Sequence, residues 1–188
     1  MSFQFKIQIK DVKKPSVWRR LLVPEHITLD EFHQVIQAAF DWEDFHLYQF
    51  SPQGWGSRPI YKVPDPEYSA YEAEDSQLVK LSQIFITAGQ AFVYIYDFGD
   101  DWTHHITLEK ILDEKIINPV CIGGKGACPP ENCGGPWGYL NLLEILANPK
   151  HPDHKEIRKW LGLGKDKQWD VNAFDIQEAN DRINSIRS

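Results

Sequence analysis

The chain is poor in cysteine, with three in 188 residues. A small, odd set cannot build the disulfide framework of a secreted mini-domain, and it points to a reducing, cytoplasmic setting. Basic residues are also in deficit. Twenty Lys and Arg stand against 27 Asp and Glu, giving a formal net charge of −7 and a pI near 5.5. A protein that grips a phosphate backbone is usually basic on at least one face, so this balance counts against nucleic acid as the partner. No run approaches the roughly 18 apolar residues of a membrane span. The opening Met1-Ser2-Phe3-Gln4-Phe5-Lys6 alternates where a secretory leader would be continuously apolar. Internal repeats, low-complexity tracts and coiled-coil heptads are missing. So are a Ser–His–Asp elbow, HExxH and any nucleotide-binding fingerprint.

What is present is apolar and aromatic: 42% hydrophobic residues and 13% aromatic, with seven Trp and ten Phe. That suffices for one packed domain over residues 1–188. Phe3, Phe5, Ile7 and Ile9 alternate with polar neighbours as in a half-buried strand, and Val17–Val23 reads as the second strand. Arg19 and Arg20 adjoin there, so one must face inward, near a pocket or an edge. Thr28 and Glu31 form a capping box ahead of a helix ending near Asp41. Further strands are expected at 46–50, 58–63, 91–98 and 103–112, the last two as a hairpin, with a short helix at 78–85. Residues 52–76 read as a surface excursion, either lid or plain loop. Residues 113–136 are so rich in Gly and Pro that they read as loop. Helices are expected around 140–146, 153–161 and 175–187. The expected class is α+β: a mixed, mainly antiparallel sheet of five to six strands with three to four packed helices in a single domain.

Three constellations could carry chemistry. Tyr96-Asp97-Phe98-Gly99-Asp100-Asp101-Trp102-Thr103-His104-His105 places three carboxylates and two imidazoles on a hairpin turn. Such groups suit a divalent ion or general acid–base work, although Gly-Asp at a hairpin tip is also ordinary turn chemistry. Asp97 precedes the turn in an apolar strand and needs a partner, for which Arg19 and Arg20 are the candidates. Cys121, Cys128 and Cys133, completed by His151 or His154, could hold zinc, but the pattern is not a double CxxC and reduced thiols without metal are the simpler reading. Gly134-Gly135-Pro136-Trp137-Gly138 enters a helix. It lacks the features of a phosphate loop, so a structural turn explains it more economically than an anion site. His33 and His46 gain interest only if folding brings them near Asp97 or His104.

Taken together, Val17-Trp18-Arg19-Arg20, Leu29 through His33, His46-Leu47, Tyr96 through Trp102 with His104, and Ala127-Cys128-Pro129-Pro130-Glu131-Asn132-Cys133-Gly134-Gly135 with Gly138-Tyr139 resemble the plasmid pRiA4b ORF-3-like family over nearly the whole chain. The resemblance implies a bacterial or archaeal protein with plasmid and mobile-element relatives, hence a DNA context without an established activity. Family members often carry a second His two positions after the first in the segment reading His46-Leu47-Tyr48 here; Tyr48 replaces it, which weakens a His-rich metal centre. The prolines and glycines of CPPENCGG suggest a shaped loop packed near the hairpin.

The expected function is a binding or accessory module. A cleft between the 91–111 hairpin and the 121–138 loop would take a protein or small-molecule ligand through Trp18, Tyr96, Trp102 and Trp137. Arg19, Asp97, Asp100, Asp101, His104 and Glu131 would be its polar contacts. The alternatives are a metal-dependent hydrolase, with Zn or Mg held by the Asp and His cluster, and a DNA-associated protein of a mobile element, ranked last because the chain is acidic.

Overall fold

The computed structural model describes residues 1–64 and 73–186. It opens with β1 (Ser2–Lys13) and β2 (Ser16–Pro24), paired antiparallel so that Lys6 faces Arg20 and Ile7 faces Arg19. The period of two puts Phe3, Phe5, Ile7, Ile9, Val17, Arg19 and Leu21 on the buried face. Arg20 shares the opposite face with Lys6 and forms a two-point pair with Glu109, at 2.7 and 2.9 Å. Helix α1 (Leu29–Phe40) starts at the expected capping box: Glu31 N–H donates to Thr28 Oγ1 and Thr28 N–H to Glu31 Oε2. Its apolar stripe lies on the sheet, with Phe32 between Phe5 (4.9 Å) and Phe50 (6.2 Å). Each such buried ring contributes about 2 kcal/mol through area removed from water.

The chain continues through β3 (Tyr48–Ser51), β4 (Tyr61–Lys62), β5 (Glu74–Asp75), α2 (Leu81–Ile84), the hairpin β6 (Ala91–Tyr96) and β7 (Trp102–Leu112), β8 (Val120–Lys125), α3 (Gly135–Ala147), α4 (His154–Trp160) and α5 (Ile176–Ser185). The sheet order is β5-β4-β3-β6-β7-β1-β2-β8, antiparallel except between β4 and β5. The α+β class stands, but among the described residues the expected sheet of five to six strands is corrected to eight and the three to four helices to five. β8 was hidden by its own glycines, which depress strand propensity. Gly124 is there because a Cβ would come within 2.7 Å of the Phe174 ring. The strand expected at 58–63 shortens to two residues, and residues 65–72 of the 52–76 excursion lie outside the described residues.

β8 is an edge strand, and α5 covers it. Asn180 accepts from Cys121 N–H (2.8 Å) and donates to Cys121 C=O (2.9 Å), occupying edge groups that could otherwise template aggregation. Among the described residues no helix is long and apolar enough to cross a membrane.

Candidate functional site

Tyr96 pairs with Trp102 across the hairpin, and between them the chain turns on Asp97 and Asp101, both left-handed (φ 54° and 53°). Aspartate tolerates that conformation because its short side chain bonds its own backbone. Asp97 Oδ1 accepts from the N–H groups of Gly99 (3.0 Å) and Asp100 (3.3 Å), so this carboxylate builds the turn. Neither expected arginine reaches it. Its other oxygen lies 3.5 Å from His46 Nε2, which is itself 2.9 Å from Asn132 Oδ1. His46 thus meets the condition that made it worth attention, while His33 is placed elsewhere. Gln37 Nε2 donates to the Tyr94 hydroxyl at 2.8 Å, which lies 2.7 Å from His33 Nδ1, and His33 Nε2 lies 2.8 Å from Asp44.

The other candidate carboxylates are also links in the structure. Asp100 accepts from Gly134 N–H at 3.1 Å. Asp101 accepts from the Trp55 indole (2.8 Å) and the Thr103 hydroxyl (3.1 Å). Tyr96 O–H donates to one oxygen of Glu131, and Glu43 N–H donates to the other at 3.2 Å. Burial and the Glu131 charge together push the Tyr96 phenol well above its ordinary value. Trp42 closes the set by donating to Pro129 C=O at 2.9 Å. A Cβ on Gly135 would overlap the Asp100 carbonyl, and one on Gly138 the Cys133 carbonyl. The glycines of CGGPWG therefore let loop and helix press onto the hairpin. The loop packs on the hairpin through Asp100–Gly134 and Tyr96–Glu131, and the groups expected to line a cleft between the two bond each other there.

His104 is fully buried. Its Nδ1 donates to Trp102 C=O at 2.9 Å, and the rings of Phe40 and Trp42 stand edge-on at 5.2 Å. Burial holds its pKa down at about 3, against partial recovery from the Trp102 carbonyl, so it is neutral at neutral pH. It cannot exchange protons with a substrate from this position. Among the described residues, no three His, Cys, Asp or Glu side chains converge on a point where an ion could sit. The three thiols are not gathered into such a group either. Cys121 lies under α5, burial raises the pKa of Cys128, and burial with the Asp100 charge pushes Cys133 up to about 12. His151 is engaged locally with Asp153. The expected metal set of Asp97, His104, Cys121, Cys128 and Cys133 is not assembled.

An open cavity of about 660 Å³ lies on the other side of the CPPENCGG loop. The loop contributes Cys128, Pro129 and Pro130 to its wall. Trp160, Trp169 and Phe174 come from the C-terminal segment, and Arg182 and Glu178 from α5. Arg19 reaches the cavity from β2 although only 3% exposed. Its guanidinium is sandwiched between Phe40 (5.1 Å) and Phe174 (4.4 Å). It donates to the carbonyls of Ala39 (2.9 Å), Trp18 (2.9 Å), Lys125 (3.0 Å) and Gly126 (3.1 Å). Desolvation lowers its pKa, yet a guanidinium stays charged under such burial. Arg182 bonds Ala38 C=O at 2.9 Å and pairs with Asp41 at 3.2 Å.

Of the expected contacts, only Arg19, together with Cys128 of the metal set, reaches this cavity. Trp18 lies on the opposite sheet face beside Lys6 and Arg20. Tyr96 and Trp102 are buried, and Trp137 is 82% exposed at the start of α3. Sequence reasoning missed Asp41, Trp160, Trp169, Phe174 and Arg182. The available signal was three large aromatics in an otherwise polar stretch, 150–175, with no strand pattern to bury them.

Comparison with known proteins agrees with this architecture. The crystal structure of a protein of unknown function from Methanosarcina mazei Go1, MM3350, superposes with a TM-score of 0.79 at 34% identity, covering 94% of this chain and 96% of that one. The uncharacterised protein y4hQ of Sinorhizobium fredii is 34% identical over 177 residues, 94% of this chain and 88% of that protein. Residues 1–178 match the family of the plasmid pRiA4b ORF-3-like protein. By that match and these relatives, the chain belongs to the plasmid pRiA4b ORF-3-like family.

Proposed function

We propose that this protein is a binding module that takes a small ligand in the cavity behind the 127–130 loop. The observation that carries the reading is an aromatic-walled cavity of about 660 Å³ with the buried Arg19 at its wall. Small-molecule sites run from roughly 300 to 1,000 Å³ and combine apolar walls with a few placed polar groups, which matches this one. The catalytic alternative finds no comparable support. The Asp and His groups that would serve a hydrolase are spent on the turn, on the loop or inside the core.

Ala173 lines the cavity and is itself exposed, so Ala173→Trp would fill the space without disturbing the core. A panel of small aromatic fragments is expected to stabilise the wild-type protein in thermal melts. At a hundredfold excess over Kd the gain is about 2.7 kcal/mol, or roughly 5–10 °C in Tm for a chain of this size. Ala173→Trp is expected to melt normally and to lose the response. Fragments that stabilise both proteins equally would place binding elsewhere and sink the proposal.

A further inference from the structure

Resting on that reading of the cavity, we infer that the ligand is an aromatic carboxylate whose head seats against Arg19 and Arg182. The walls supply indole and phenyl faces from Trp160, Trp169 and Phe174, which suit a planar apolar body. Arg19 and Arg182 are the charged hydrogen-bond donors of the wall. Arg19 has no carboxylate partner among the described residues, and its bonds are to neutral carbonyls. A guanidinium offers five N–H donors and four are used there, leaving one on Nη2. Arg182 stands near enough to Arg19 to depress its proton affinity, and Asp41 is the single carboxylate bonded to the pair. Of the three carboxylates lining the cavity, Asp41 pairs with Arg182, while Asp175 and Glu178 are exposed to solvent at the start of α5.

A cationic ligand would meet both arginines, and the acids that could attract it are engaged or peripheral. Asp41 pairs with Arg182, Asp175 caps α5 by accepting from the N–H groups of Gln177 (2.7 Å) and Glu178 (3.1 Å), and the Glu178 side chain is exposed to solvent, where water screens its charge. The Cys128 thiol is neutral and adds no negative charge. An arriving carboxylate can take the spare Arg19 donor with one oxygen and compete with Asp41 for Arg182 with the other, making two charge-assisted bonds.

The test is isothermal titration of the full chain with 1-naphthoate and, separately, with 1-naphthamide, which keeps the ring and removes the charge. Naphthoate is expected to bind about tenfold tighter, as a charge-assisted bond replaces a neutral one. Asp41→Asn keeps a residue that tolerates the left-handed backbone at 41 (φ 62°) and removes the competing charge. It should tighten naphthoate about threefold, and Arg182→Gln should weaken it about fivefold, with naphthamide unmoved by either. A purely structural role for Asp41 could not produce that gain. Equal affinity for acid and amide, indifferent to both substitutions, would overturn the carboxylate inference while leaving the cavity as the site. Failure of both probes to bind, with Ala173→Trp also without effect on fragment binding, would overturn the cavity reading and this inference together.

Discussion

Gly138→Ala is expected to destabilise the protein by about 3 kcal/mol, although alanine is the better helix former. Residue 138 lies inside α3, where propensity alone would favour alanine by about 1 kcal/mol. The added methyl would overlap the backbone carbonyl of Cys133, and a carbonyl in a loop fastened at Glu131, Asn132 and Gly134 has nowhere to go. Overpacking against fixed backbone therefore outweighs propensity, and the sign of the substitution reverses. For a chain of this length the melt should fall by roughly 6–12 °C. A neutral or stabilised Gly138→Ala protein, read from urea midpoints, would mean that the loop is free to move off the helix.

Arg19→Met is the second large effect, with an expected loss of about 4 kcal/mol. A buried ion pair can often be replaced by apolar residues at no cost, because both charged partners leave together. That escape is closed here. The partners of Arg19 are the carbonyls of Ala39, Trp18, Lys125 and Gly126, which no side-chain substitution removes. Methionine fills the slot between Phe40 and Phe174 but donates nothing, so several buried acceptors lose their bonds at about 1–3 kcal/mol each, offset where the open cavity lets water in. Chemical denaturation would measure the loss, and a change below about 1 kcal/mol would show that these carbonyls do not depend on Arg19.

These two residues also show how far the sequence could be read. Alternation in β1 and β2, the Thr28–Glu31 box and the aromatic hairpin were legible because local physics fixes them: a period of two, a reciprocal cap, a turn of Gly and Asp. The opposed directions of Arg19 and Arg20 followed from the same period. β8 was not legible, since Gly123 and Gly124 read as loop until Phe174, fifty residues away, is seen to need the space. The Asp and His cluster stands out in the sequence, and in the structure its members bond the turn, the loop and the core. Nothing local distinguishes a carboxylate that builds a turn, like Asp97, from one that holds an ion. Asp41, Trp169 and Arg182 meet Arg19 only through tertiary packing of the C-terminal helices, so the cavity was beyond reach of any motif. Glu131 lay between: its place in a Pro- and Gly-shaped loop marked it, but its role as the acceptor for Tyr96 needed coordinates.

The seven tryptophans allow the site itself to be located in one spectrum. Each indole N–H gives its own ¹H–¹⁵N resonance. Trp160 and Trp169 line the cavity, Trp42 backs the loop, Trp55 and Trp102 report the hairpin, Trp18 the opposite sheet face and Trp137 the start of α3. On titration with 1-naphthoate, the resonances of Trp160 and Trp169 are expected to move in a saturable way while those of Trp18, Trp55 and Trp102 stay in place. Saturable shifts at Trp55 and Trp102 with Trp160 and Trp169 unmoved would return the site to the hairpin and contradict the assignment of the cavity.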